Sequence, residues 1–131
     1  MGQWFSFAGR ISRQQYWLKY VLLLTVIEVV GIVAGAAINL SLGLEPVAAG
    51  DNGPLVFPGG LVSLLVSLAV IVPGFAGLAK RCHDRDRSGW FQLISLIPLI
   101  GSIWLLVEVG FLRGTPGPNR FGPDPLAGRG Y

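Results

Sequence analysis

The sequence predicts an all-α integral membrane protein with three hydrophobic helical segments, and three observations carry that prediction. Apolar residues make up 52% of the chain and charged ones 13%, about half the roughly 25% charge of an ordinary globular protein. The apolar residues gather into long runs, 16–42, 55–79 and 90–112. Lys and Arg stand at the ends of those runs, where membrane proteins keep them. A soluble domain of 131 residues needs a polar coat that this chain cannot supply. One membrane domain, 1–131, is expected.

The net charge is +3. Basic chains can bind nucleic acid, but charges placed at the ends of greasy runs point to a membrane surface instead, with no nucleic acid. A single Cys excludes an internal disulfide. Met1-Gly2-Gln3-Trp4-Phe5-Ser6 fits an N-myristoylation pattern, which is too short to weigh much. Ala34-Gly35-Ala36 resembles a signal-peptidase site, but the run before it exceeds the ~7–15 residues of a cleavable segment.

Residues 1–15 form a lead-in, and Ser12 with Gln15 has the form of a capping box. Tyr16, Trp17 and Tyr20 then suit the headgroup layer at the start of the first span, 16–42. Residues 43–54 are a turn-rich outer loop with Glu45, Asp51 and no Lys or Arg. The second span, 55–79, carries Pro73-Gly74, a site for a kink. A basic loop, 80–89, follows, and Ser88 caps the third segment, 90–112. The tail, 113–131, is an extended arm because its Pro and Gly cannot sustain a helix.

Charge counting sets the N-terminus inside. That orientation keeps Arg10, Arg13, Lys19, Lys80, Arg81, Arg85 and Arg87 on the cytoplasmic side of a plasma-membrane protein. The third segment has two solutions. A kinked single span is the preferred one, with Ile97-Pro98-Leu99-Ile100-Gly101 at the kink. The alternative is a re-entrant hairpin, which keeps Arg113, Arg120 and Arg129 inside but gives arms of only ~15 Å. Glu108 is read as a side chain that snorkels to the headgroups.

Within the spans the polar residues share faces. Glu28, Gly31, Gly35 and Asn39 follow at intervals of three and four, and the glycines permit close helix approach. Ser63, Ser67, Val70, Gly74, Gly77 and Arg81 make a second small-residue face, expected to pack on the first. An ionised Glu28 would cost at least ~2.5–3.5 kcal/mol there. It reads either as a proton- or cation-coupling site or as a neutral acid joining helices through Ser63 or Ser67.

Cys82-His83-Asp84-x-Asp86 contains metal-ligand types, but no other Cys or His exists and three arginines repel a cation. No metal or cofactor is expected. The acids should pair with arginines instead: Asp84 with Arg10 or Arg13, and Asp124 with Arg81 or Arg85 if the tail returns. The leading functional expectation is a non-enzymatic protein that binds anionic lipid headgroups or a protein partner. Its contact residues would be Arg10, Arg13, Lys80, Arg81, His83, Asp84, Arg85 and Arg87. The alternatives are a small oligomeric transporter using Glu28 and a membrane enzyme around His83 and Asp84.

Four blocks carry a family resemblance. They are Gly9-Arg10-Ile11-Ser12-Arg13-Gln14-Gln15-Tyr16-Trp17, then Arg81-x-His83-Asp84 with Arg87-Ser88-Gly89-Trp90, then Ile97-Pro98-Leu99-Ile100-Gly101. The last is Gly114-Thr115-Pro116-Gly117-x-Asn119-Arg120-Phe121-Gly122-Pro123-Asp124-Pro125. In this order they resemble the YhaH-like family, a domain of unknown function (DUF805). Cys82 stands where that family usually has an aliphatic residue, and Arg85-Asp86 replaces a commoner Thr-Gly or Thr-Asp. The resemblance implies a small bacterial inner-membrane protein and brings no known reaction; Asn119, Arg120, Gly122 and Asp124 are its tail motif.

Overall fold

The structure, a computed structural model, describes residues 4–43, 47–48, 56–57 and 59–128. Helix α1 runs Arg13–Leu42 and α2 runs Gly60–Asp84. A two-residue antiparallel ribbon lies between them in the chain: β1 (Val47–Ala48) pairs with β2 (Val56–Phe57). The 3-10 helix α3 (Gly89–Leu96) and helix α4 (Ile100–Phe111) follow. At 30 and 25 residues, α1 and α2 exceed the ~20 that a bilayer requires. The fold is that of an all-α membrane protein.

The chain divides into two compact units, Leu22–Val72 and Met1–Val21 with Pro73–Tyr131. In the first, a Cβ on Gly35 would sit on the backbone of Gly59, and one on Gly31 would meet Val66. Glycine at these positions is what lets the helices come close enough for polar contact. Ser67 then reaches Glu28, and Ser63 donates to the Gly60 carbonyl at 3.0 Å. Val29, Val33, Leu40, Leu61, Leu65 and Leu68 point outward and exposed, as a lipid solvent favours.

In the second unit, the capping box at the head of α1 is complete. Gln15 N donates to Ser12 Oγ at 3.3 Å and Ser12 N to Gln15 Oε1 at 3.0 Å. Tyr16–Leu22 then winds as a π-helix. Gly77 of α2 lies under the Tyr20 ring, with no room for a Cβ. It therefore serves a different contact from Ser63 and Ser67, with which its spacing had grouped it.

Two boundaries differ from the sequence reading. Helix α2 starts at Gly60 rather than at 55, where Gly60 turns the chain with φ +59°, a conformation glycine takes at little cost. It ends at Asp84 rather than 79, so half of the expected basic loop is helical. The end is a Schellman turn: Arg87 N donates to Cys82 O and Asp86 N to His83 O, each at 2.9 Å. Asp86 takes the left-handed position at φ +56°. Pro73 lies within α2 without ending it. Met1, Gly2 and most of the expected 43–54 loop, Glu45 and Asp51 included, lie outside the described residues.

The third segment corrects the preferred expectation. It is a hairpin and not a kinked span. Arg87 Nε donates to Glu108 Oε1 at 2.8 Å across 21 residues, which a straight helix would hold roughly 30 Å apart. Its tip is a γ-turn: Ile100 N donates to Pro98 O at 2.7 Å, and Leu99 between them has φ +62° and ψ −65°. Gly101 packs on the Ile94 carbonyl with no space for a side chain. The core of this unit is Cys82, Leu105 and Val109, flanked by Tyr16, Leu78, Phe91 and Ile94. Both feet of the hairpin therefore rest on one end of α2.

Candidate functional site: an arginine clasp at the end of α2

A helix ends with carbonyls that have no partner within it. At the end of α4 five consecutive carbonyls meet side chains instead. Val109 O accepts from Arg81 Nε at 2.7 Å, Gly110 O from Trp17 Nε1 at 2.9 Å and Phe111 O from Arg13 at 2.8 Å. Leu112 O accepts from the far nitrogen of Arg81, and Arg113 O from Arg85 at 2.5 Å. The negative end of a helix favours cations there, and a guanidinium fork can serve two carbonyls at once.

The tail is tied by the same chemistry. Arg10 donates to the carbonyls of Thr115 at 2.6 Å, Gly117 at 2.7 Å and Gly122 at 3.3 Å. Thr115 N and Oγ1 both donate to Asp84 O, at 2.8 and 3.1 Å. Asn119 donates to His83 O at 2.9 Å, and Arg120 to Asp86 O at 2.9 Å. Gly114 lies against the Asp84 carboxylate with no room for a Cβ. The tail motif is thus a set of short, turn-forming residues that lets the backbone wrap the end of α2.

Asp84 stands at the centre. It accepts from Arg10 at 3.1 Å and pairs with Arg81, and these three side chains are 5%, 1% and 0% exposed. Burial raises the Asp84 carboxyl above its ordinary value, while Arg81 and Arg10 pull it down. Two guanidiniums on one carboxylate leave the cluster net positive. Asp124 instead holds the tail, accepting from Gly117 N at 3.0 Å and Leu126 N at 2.9 Å.

The apolar part of α2 ends at Ala79, and the residues beyond it diverge. Lys80 donates to the Tyr20 hydroxyl at 3.0 Å. The Cys82 thiol is buried in the apolar core. The His83 ring stacks on Phe121, with centroids 4.0 Å apart and planes 5° from parallel. Its Nδ1 lies 3.1 Å from Gly9 O; a carbonyl only accepts, so Nδ1 carries the proton. Burial lowers the His83 pKa, partly opposed by this bond and aided by Arg120. Cys82, His83 and Asp84 therefore face different surroundings and share no centre.

Of the residues picked from the sequence, Arg10, Arg81, His83, Asp84 and Arg85 converge on the clasp. Arg13 reaches it while staying exposed, and Lys80 belongs to the Tyr20 contact. Glu108, expected to snorkel, is buried instead and accepts from Arg85 at 3.2 Å and Arg87 at 2.8 Å. Trp17, expected in the headgroup layer, also caps Gly110. Only the hairpin brings these partners close, so no local signal in the sequence marked them. Beside the clasp lies a small open cleft whose lining includes Ser12, Arg13, Arg113, Thr115, Asp84 and Asp124. Chemically, the arrangement is a cationic platform with both Asp84 oxygens already engaged.

A family model described as a protein of unknown function (DUF805) matches residues 4–123. Inner membrane protein YhaH of Escherichia coli (strain K12) is 36% identical, with 92% of this chain and 87% of YhaH covered. Inner membrane protein YhaI of the same strain is also 36% identical, over 94% of this chain and 88% of YhaI. Uncharacterized protein YiiR is 27% identical, with 93% and 88% covered. No solved structure matches the chain.

Proposed function

We propose, for a chain that belongs to the DUF805 family of proteins of unknown function, that it binds the phosphate groups of anionic lipids at one membrane face. It crosses the bilayer twice, through the apolar lengths of α1 and of α2 as far as Ala79, and dips the α3–α4 hairpin into the leaflet it starts from. Both termini then lie in the cytoplasm. One observation carries this reading: all ten Lys and Arg residues fall in Met1–Val21 or Pro73–Tyr131, and none in Leu22–Val72. A third crossing would export Arg113, Arg120 and Arg129, against the positive-inside rule. The folded-back hairpin supports keeping them with the rest.

The structure also supports a division of labour among these cations. Arg10 and Arg81 are withdrawn into the clasp, whereas Arg13, Lys19, Arg87, Arg113 and Arg120 stay exposed. Each exposed cation near an anionic surface contributes about 1 kcal/mol. Arg13 and Arg113 flank the cleft, where the Ser12 hydroxyl, which accepts from Gln15 N, keeps its hydrogen for a phosphate oxygen.

The test is lipid retention. The full chain is reconstituted in nanodiscs of phosphatidylcholine and phosphatidylglycerol, and bound lipids are counted by native mass spectrometry. Phosphatidylglycerol should dominate, and its count should fall in Arg13→Gln with Arg113→Gln. Equal retention of both lipids removes this reading. Equal retention together with a stoichiometric co-purifying protein redirects it to a protein partner.

A further inference from the structure

We propose that Glu28 is a proton-binding site inside the apolar layer, a carboxylic acid that gives its hydrogen bond to the Ser67 hydroxyl. This goes beyond the lipid reading and rests on different residues. The Ser67 oxygen lies within hydrogen-bond distance of Glu28 Oε1 and 2.9 Å from the Ser63 carbonyl. A hydroxyl has one hydrogen to give and can accept as well, whereas a carbonyl can only accept. Both contacts become hydrogen bonds when Ser67 donates to Ser63 O and Glu28 supplies the proton to Ser67. An ionised Glu28 would claim the Ser67 hydrogen for itself and leave the second contact empty.

Charge bookkeeping points the same way. Glu28 Oε2 is buried and has no partner among the described residues. That is tolerable for the carbonyl oxygen of a neutral acid and costly for half of an ionised carboxylate. Among the described residues of this unit no cation offsets an anion. Glu28 is the sole titratable side chain of Leu22–Leu42, and residues 60–72 of α2 contain none. Glu45 and Asp51, the other acids of this unit, lie outside the described residues, and Leu22–Val72 holds no Lys, Arg or His. The Ser67 hydroxyl is the polar side chain that meets Glu28 among the described residues, a setting that holds a proton and offers few oxygens to a metal cation.

The experiment uses dicyclohexylcarbodiimide on the full chain in lipid vesicles at neutral pH. A protonated acid adds across the carbodiimide C=N bond: its oxygen bonds to carbon, its proton moves to nitrogen, and acyl transfer to nitrogen fixes the adduct without a leaving group. Mass spectrometry should find the adduct on Glu28, unchanged by sodium, and lost in Glu28→Gln. Infrared spectra should contain a protonated-carboxyl band that disappears in Glu28→Gln and shifts in Ser67→Ala. Absence of that band from the folded parent chain overturns the proposal. So does protection of Glu28 by sodium, which would make the site one for a cation.

Discussion

Arg10 and Asp84, 74 residues apart in sequence, meet at 3.1 Å with almost no solvent on either side chain. This contact fixes the head of α1 to the end of α2, and through the other donors of Arg10 it holds the tail as well. Arg10→Ala leaves Asp84 paired with Arg81 but takes the donor from the Thr115, Gly117 and Gly122 carbonyls, so it should lose about 1–3 kcal/mol. Arg10→Lys should not rescue, because an ammonium cannot reproduce the fork. Denaturant unfolding in detergent measures the loss, and proteolysis after Gly114 should accelerate. A double variant with Asp84→Ala should lose less than the sum of the single losses.

The hairpin tip gives two opposite expectations. A side chain at Gly101 would collide with the Ile94 backbone, so Gly101→Val should lose at least about 1–3 kcal/mol. Leu99 sits at φ +62°, a conformation that costs a non-glycine residue of order 1–3 kcal/mol. Leu99→Gly should therefore raise the unfolding midpoint. Equal effects of the two substitutions would mean that the hairpin is absent in the membrane.

Acidification should act through His83. Its folded-state pKa lies below the ordinary value of 6.5, so the folded chain prefers the neutral ring. Its contribution to stability is complete above about pH 6.5 and drains away as pH falls through the folded value. Unfolding midpoints measured from about pH 7.5 down to about pH 5 should fall more in the parent than in His83→Gln. Phe121→Ala, which removes the stacked ring, should also flatten the profile.

Topology is open to a direct reading. A reporter fused after Tyr131 should be active in the cytoplasm, and Arg113, Arg120 and Arg129 should resist modification from outside. Periplasmic activity would separate the tail from Arg10 and dismantle the clasp.

The sequence by itself determined the solvent of this protein. Long apolar runs with cations at their ends leave a chain no stable option but lipid, and the intervals from Glu28 to Asn39 mark a close helix contact. The capping box at Ser12 was legible because its partners lie three residues apart. What Arg10, Arg81, Trp17 and Glu108 do was not legible, since each acts on a backbone or side chain 21 to 112 residues away. Tertiary structure alone decided that the third segment folds back. A γ-turn at Leu99 and a bare Gly101 permit that reversal, but only the row of carbonyls waiting for the arginines makes it the stable outcome.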